Sequence, residues 1–90
     1  MNTENTFVFD RKNKHCYMIT SSEVGTRNRV TMMDIYGKKD RRAITNFVPM
    51  TDFEAFVVMK GERITRRKAR MNSADAALAH CYRKFASQNA

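Results

Sequence analysis

Leucine occurs once in this chain, at Leu78, while Val, Ile, Phe, Tyr and Thr are plentiful before residue 70. Leucine is a strong helix former, whereas β-branched and aromatic side chains suit a pleated, half-buried surface. The first three quarters of the chain are therefore expected to be mainly strand. Ninety residues make one domain, and 42% hydrophobic against 29% charged residues is enough apolar material to fold.

Alternation and turn chemistry place the strands. Residues 6–10 read as a first strand, followed by the polar reversal Asp10-Arg11-Lys12-Asn13-Lys14. Residues 15–21 form a second, with Tyr17 and Ile19 on one face and Cys16 and Met18 on the other. Residues 22–28 make a loop in which Gly25 is free to take a positive φ. Residues 29–36 form a third strand, and Gly37-Lys38-Lys39-Asp40 is a charged hairpin connection. Residues 41–48 return as a fourth strand, which Pro49 ends because proline removes a ladder donor.

The next segment supports two readings. Thr51-Asp52-Phe53-Glu54 matches a capping box, and Phe53, Phe56 and Val57 fit one helical face. Against this, Phe56-Val57-Val58-Met59 is β-branched and aromatic, and Lys60-Gly61-Glu62 resembles a glycine turn leading into Arg63-Ile64-Thr65. The composition favours a second hairpin, with residues 63–71 as its far strand.

The tail reads as a helix over residues 74–86. Asn72 or Ser73 caps it, Asp75 suits its positive end, and Arg83 and Lys84 suit its negative end. Ala74, Ala77, Leu78, Cys81, Tyr82 and Phe85 form a stripe that must pack on the sheet. The expected fold is α+β: an antiparallel β-sheet of four to six strands with one C-terminal α-helix packed on one face. Residues 1–90 form a single small basic domain, frayed at residues 1–5 and 87–90.

Chemistry-bearing motifs are few. Cys16 follows His15 and Cys81 follows His80, but contiguous residues diverge on a strand or helix and do not supply two ligands to one ion. Both cysteines read as small buried side chains. With three glycines, no Gly-x-Ser-x-Gly, no His-Glu-x-x-His and no phosphate loop, the chain is expected to be neither an enzyme nor the holder of a cofactor or metal. No apolar run approaches the ~20 residues of a membrane span, and the start MNTENTFVF does not read as a secretory signal, so a cytoplasmic location is expected.

Charge is the remaining signal. The chain carries 17 Lys and Arg against 9 Asp and Glu, a formal charge of +8. Within residues 60–70 lie Lys60, Arg63, Arg66, Arg67, Lys68 and Arg70, with Glu62 as the only acid. A second cluster, Lys38, Lys39, Arg41 and Arg42, is diluted by Asp40. On a strand, Arg66, Lys68 and Arg70 would form one row and Arg63 and Arg67 another, a geometry that tracks a phosphate backbone. Charge on an edge strand also prevents sheet-to-sheet pairing, but the clustering exceeds that need.

The expected function is thus a small nucleic-acid-binding module that contacts DNA or RNA phosphates through a basic β-hairpin, with little sequence specificity. The alternative is an inhibitor encoded by a virus or mobile element, docking on an acidic surface of a host machine such as a nuclease, polymerase or defence complex. Tyr36, Phe47, Phe53 and Phe56 could stack on bases but read as core. The methionines, among them Met32 and Met50, read as gap filling in a leucine-poor core rather than as a contact surface. No membrane partner is expected, and residues 6–10 could pair with a second copy as an edge strand.

Overall fold

The structure is a computed structural model and describes residues 6–20, 29–43, 46–67 and 70–89. Its elements are β1 (Phe7–Asp10), β2 (His15–Ile19), β3 (Arg29–Met33), β4 (Lys39–Ala43), β5 (Phe47–Met50), α1 (Asp52–Arg66) and α2 (Ser73–Gln88). The strands form one antiparallel sheet in the order β4-β3-β2-β1-β5, so the last strand returns to pair with the first. The α+β class stands, with two helices in place of one.

The turns explain the strand ends. Asp10 closes the β1–β2 reversal by accepting the amides of Lys12 and Asn13, while Lys14 adopts φ 59 to re-enter the sheet. Asp34 does the same between β3 and β4, where its Oδ1 accepts the amides of Tyr36 and Lys38 and Gly37 takes φ 83. An Asp side chain that satisfies two turn amides replaces the ladder bonds that end there. The strand expected over residues 41–48 is two strands. Asn46 takes φ 64, a conformation Asn tolerates, and the chain leaves β4 to reach the opposite edge as β5. Pro49 lies inside β5, not beyond it; an edge strand has one side whose donors need no partner. β1 is interior, paired on both sides, so residues 6–10 have no free edge to offer a second copy.

The sheet is curled. Tyr17 of β2 packs edge-on against Phe47 of β5 at 6.0 Å between centroids, although two strand intervals of a flat sheet span about 9.5 Å. On the other side the Arg42 guanidinium of β4, also two strands away, lies 5.1 Å from the centre of the same ring. Both edges therefore bend toward Tyr17. The concave face encloses Val8, Tyr17, Ile19, Val30 and Met32, with Phe47 at its margin. The convex face carries Phe9, Cys16 and Met50 onto the helices, where Ala55, Val58, Tyr82 and Ala86 complete a second cluster. The expected alternation of Cys16 against Tyr17 and Ile19 is what separates these two cores. Phe9 is fully buried with Tyr82 and Phe85 edge-on to its ring; burial of such a side chain contributes about 1.5–3 kcal/mol.

Residues 56–66 are helix, not hairpin. The capping box is complete: the Glu54 amide donates to Thr51 Oγ1 at 3.1 Å and the Thr51 amide to Glu54 Oε1 at 3.0 Å. Asp52 and Glu54 in the first turn and Arg63 and Arg66 in the last complement the helix dipole. These signals, with burial of Ala55, Val58 and Ile64, override the β-branched run. Gly61 is no turn residue either. A Cβ there would stand 2.7 Å from the Tyr82 Cβ and run into the Leu78 carbonyl oxygen, so glycine is what lets α2 cross α1 this closely.

α2 begins with a second capping box, Asn72 with Asp75, and runs to Gln88, two residues past its expected end at Ala86. It buries Ala79, Tyr82 and Ala86, so the stripe is turned by about one residue from the expected one: Ala74, Ala77 and Cys81 are exposed. Its principal neighbour is α1, with Tyr82 and Phe85 reaching Phe9. Residues 1–5 and 90, expected to fray, and the loop around Gly25 lie outside the described residues. Among the described residues no helix is long and apolar enough to cross a membrane.

Candidate functional site

The cations of residues 60–70 do not form rows on a strand. Arg66 lies on α1 one turn after Glu62, and its Nε donates to Glu62 Oε2 at 2.9 Å. Its Nη2 donates to the Lys14 carbonyl at 3.1 Å and to Tyr82 Oη at 3.4 Å. Arg63 Nη2 donates to the Ile35 carbonyl at 2.8 Å, and Arg67 Nη2 to Asp75 Oδ2 at 2.9 Å. Lys60 Nζ sits 4.2 Å above the Phe56 ring. Arg70 is exposed between the helices, and Lys68 lies outside the described residues. Arg63 thus holds α1 to the β3–β4 turn, Arg66 holds it to the β1–β2 turn, and Arg67 holds it to α2.

Glu62 organises this region. It is 1% exposed, and its Oε1 accepts the Cys16 amide at 2.6 Å while Oε2 meets both Arg66 and His15 Nδ1, each at 2.9 Å. A buried carboxylate is tolerated only when paired and hydrogen-bonded, and here it has three partners. The ionised oxygen has no proton to give, so His15 carries its proton on Nδ1. The Cys16 thiol is pushed up by burial and then by the Glu62 charge, which keeps it protonated and unreactive. Cys81 is exposed, contrary to expectation, and both cysteines are free.

The second cluster is arranged differently. Register pairs Thr31 with Arg41 and Met33 with Lys39, so Arg29, Lys39 and Arg41 share the convex face of β3 and β4. The helices pack on β1, β2 and β5 and leave that face to solvent: all three cations are exposed. Arg41 Nη2 steadies the pair of strands by donating to the Arg29 carbonyl at 3.3 Å. Arg42 points to the concave side, stacked on Tyr17. Its Nε is buried 3.8 Å from Asp40 Oδ2 and has no hydrogen-bond partner among the described residues. Burial raises the Tyr17 phenol, with the Arg42 charge opposing that rise.

Curling of the sheet joins this cluster to residues far away in sequence. An open cleft of about 400 Å³ runs between the two sheet margins. Lys12 enters it from the β1–β2 turn, Arg29 from β3, Arg41 and Arg42 from β4, with Asn46 and Phe47 opposite. Its two carboxylates are already engaged: Asp10 by the turn amides and Asn13 Nδ2, Asp40 by the Arg41 amide and Arg42. Lys38 is exposed on the adjacent β3–β4 turn.

Of the residues singled out from sequence, Arg41 and Arg42 therefore line one site, and Lys38 and Lys39 flank it. Lys60, Arg63, Arg66 and Arg67 lie elsewhere. Lys12, Arg29 and Asn46 were not foreseen: the β3–β4 ladder brings in Arg29, the turn out of β4 brings in Asn46, and the curl of the sheet brings in Lys12. Of the four aromatics read as core, Phe47 is partly buried, whereas Tyr36, Phe53 and Phe56 are exposed. Among the described residues no group of three or more His, Cys, Asp and Glu is placed to hold a metal ion. Comparison with protein families, with curated proteins and with solved structures finds no match for the chain.

Proposed function

We propose that the protein is a small nucleic-acid-binding module that holds the phosphate backbone against the β3–β4 hairpin and the cleft beside it. The observation that carries this reading is convergence. Residues of three separate elements, Lys12, Arg29, Arg41 and Arg42, border one open cleft; Arg42 sends its side chain to the concave side and Arg29 and Arg41 theirs to the convex side, so cations flank the β3–β4 edge on both faces. Arginine forks suit phosphate oxygens. Lys38 and Lys39 extend the positive surface along the hairpin. Contacts of this type position a protein without reading bases, so little sequence preference is expected.

The test is the salt dependence of binding to duplex and single-stranded DNA and RNA. The native chain should bind with a steep slope. Replacing Lys38, Lys39 and Arg41 together by Ala should lower that slope by roughly 0.7–0.9 for each phosphate that is no longer neutralised, with only a small change in the thermal transition because all three side chains are exposed. Replacing Arg83 and Lys84, exposed on α2, is the matched control and should leave the slope in place. No binding at low salt, or equal loss from both sets, would overturn the reading.

A further inference from the structure

The outward face of α1 carries exposed apolar surface, with only the Lys60 ammonium over the Phe56 ring among the described residues. Phe53 is 78% exposed and Phe56 60%. At 100° per residue, Asp52, Phe53, Phe56, Met59, Lys60 and Arg63 all fall within about 60° of Phe56, so they form one stripe. Beside the stripe lies an open groove of about 350 Å³, floored by Phe7, Ile35 and Ala55. Large aromatic side chains left in water beside an apolar groove mark an interaction surface.

We propose that this face is the interface of a two-fold homodimer, with α1 of one copy lying antiparallel on α1 of the other. The charge order along the stripe selects that occupant. Asp52 stands at the amino-terminal end, Lys60 and Arg63 toward the carboxy-terminal end, with Phe53, Phe56 and Met59 between them. An antiparallel pair centred near Phe56 brings Asp52 of each copy to the level of Lys60 of the other, with Arg63 one turn away, and sets the two helix dipoles against each other. The aromatic and methionine side chains of both copies then fill the middle. A parallel pair would place like charge on like charge. A nucleic acid would meet Asp52 and the exposed Phe53 ring, and a purely acidic protein surface would meet Asp52 as well. The surface is complementary to itself and lies apart from the cationic cleft, so the inference does not depend on the nucleic-acid reading.

Sedimentation and light scattering on the full chain decide the matter. Between ~10 and ~500 µM the native chain should pass from the mass of one copy toward that of two, as expected for a small interface. Replacing both exposed aromatics, Phe53→Ser with Phe56→Ser, should weaken dimerisation about 30-fold or more. The discriminating experiment mixes two charge variants. A chain carrying Asp52→Lys makes both ends of its stripe positive, and one carrying Lys60→Glu turns the level that faces Asp52 negative while leaving the Arg63 bond to Ile35 in place. Each should be monomeric alone at the concentration where the native chain pairs, and an equimolar mixture should restore the dimer. Should either variant lose its native circular dichroism, the double serine variant, which changes only exposed side chains, carries the test. A native chain that is monomeric throughout the range overturns the proposal, as does a dimer indifferent to the serine substitutions. So does a mixture of folded variants that fails to associate; the groove then belongs to some other occupant.

Discussion

Between residues 60 and 67 the arginines turn back into the protein, whereas between residues 38 and 42 the cations turn away from it or into an open cleft. The two segments look alike in composition, since each is a short run of Lys and Arg with a single acid. What separates them is which acceptors lie within reach: Arg63 meets the Ile35 carbonyl, Arg67 meets Asp75, and the acid inside the segment is itself buried. Glu62 is buried between α1 and β2, and its charge draws Arg66 and His15 inward. Asp40 is exposed on an edge strand, accepts its neighbour's amide and lies 3.8 Å from Arg42 without closing a hydrogen bond. A buried carboxylate turns nearby cations into structural ties; an exposed one leaves them available. Density of positive charge in a sequence is therefore a poor guide to a binding surface until the acceptors have been placed.

Four measurements break or sharpen this contrast. The largest effect is expected at Glu62. Glu62→Ala leaves the Cys16 amide without its acceptor and Arg66 without its carboxylate, and should cost about 3–5 kcal/mol in urea unfolding. A loss below about 1 kcal/mol would mean that the ties of α1 are decorative. Next comes Gly61→Ala, which forces α2 off α1. It should lower stability by about 3 kcal/mol, and a neutral outcome would show that the helices can separate freely.

The direct comparison is third. Arg66→Ala should destabilise by about 2 kcal/mol and leave the salt slope of nucleic-acid binding unchanged, because its bonds are internal. Arg41→Ala should do the opposite, lowering the slope while altering stability by no more than about 0.5 kcal/mol. If the two variants behave alike, the division between structural and available cations fails.

The smallest effect concerns Cys16. Its thiol titrates higher in the folded chain than in the unfolded one, so the folded state keeps a proton that the unfolded state releases. Stability is then fully present below about pH 9 and falls as pH rises beyond it, with a slope of up to about 1.4 kcal/mol per pH unit from this group. Cys16→Ala should flatten that alkaline decline. In the native protein a thiol reagent should modify Cys81 alone, and Cys16 only after unfolding.

Much of the sheet was legible in the sequence. Alternation in residues 15–19 separated the two cores correctly and the Asp-Arg-Lys-Asn reversal fell where a turn is, whereas the second turn comes earlier than expected, at residues 34–38, with Lys39 and Asp40 already in β4. The cap of α2 and the acid in its first turn were also legible, whereas Arg83 and Lys84 lie short of a last turn that holds no basic residue. The failures share a cause, in that local propensity was read where a distant contact decided. Phe56-Val57-Val58-Met59 looked like strand, but the capping box and the crossing of α2 made it helix. Gly61 looked like a turn because nothing in its neighbours says that another helix lies against it. Residues 41–48 looked continuous, and only Asn46 hinted at the break. The candidate site was half visible: Arg41 and Arg42 stand in a run, while Arg29 joins them through the β3–β4 ladder and Lys12 through the curl of the sheet.

The pairing of β5 with β1 also orders events in time. Phe7 faces Met50 across that ladder, so the first strand cannot be completed on its second side until the chain has been made past residue 50. β2, β3 and β4 can assemble from neighbouring hairpins while one margin of β1 still waits. Closure of the sheet, and with it the cleft between its margins, is then a late step with a long loop to close, and its rate should set the pace of folding for the whole domain.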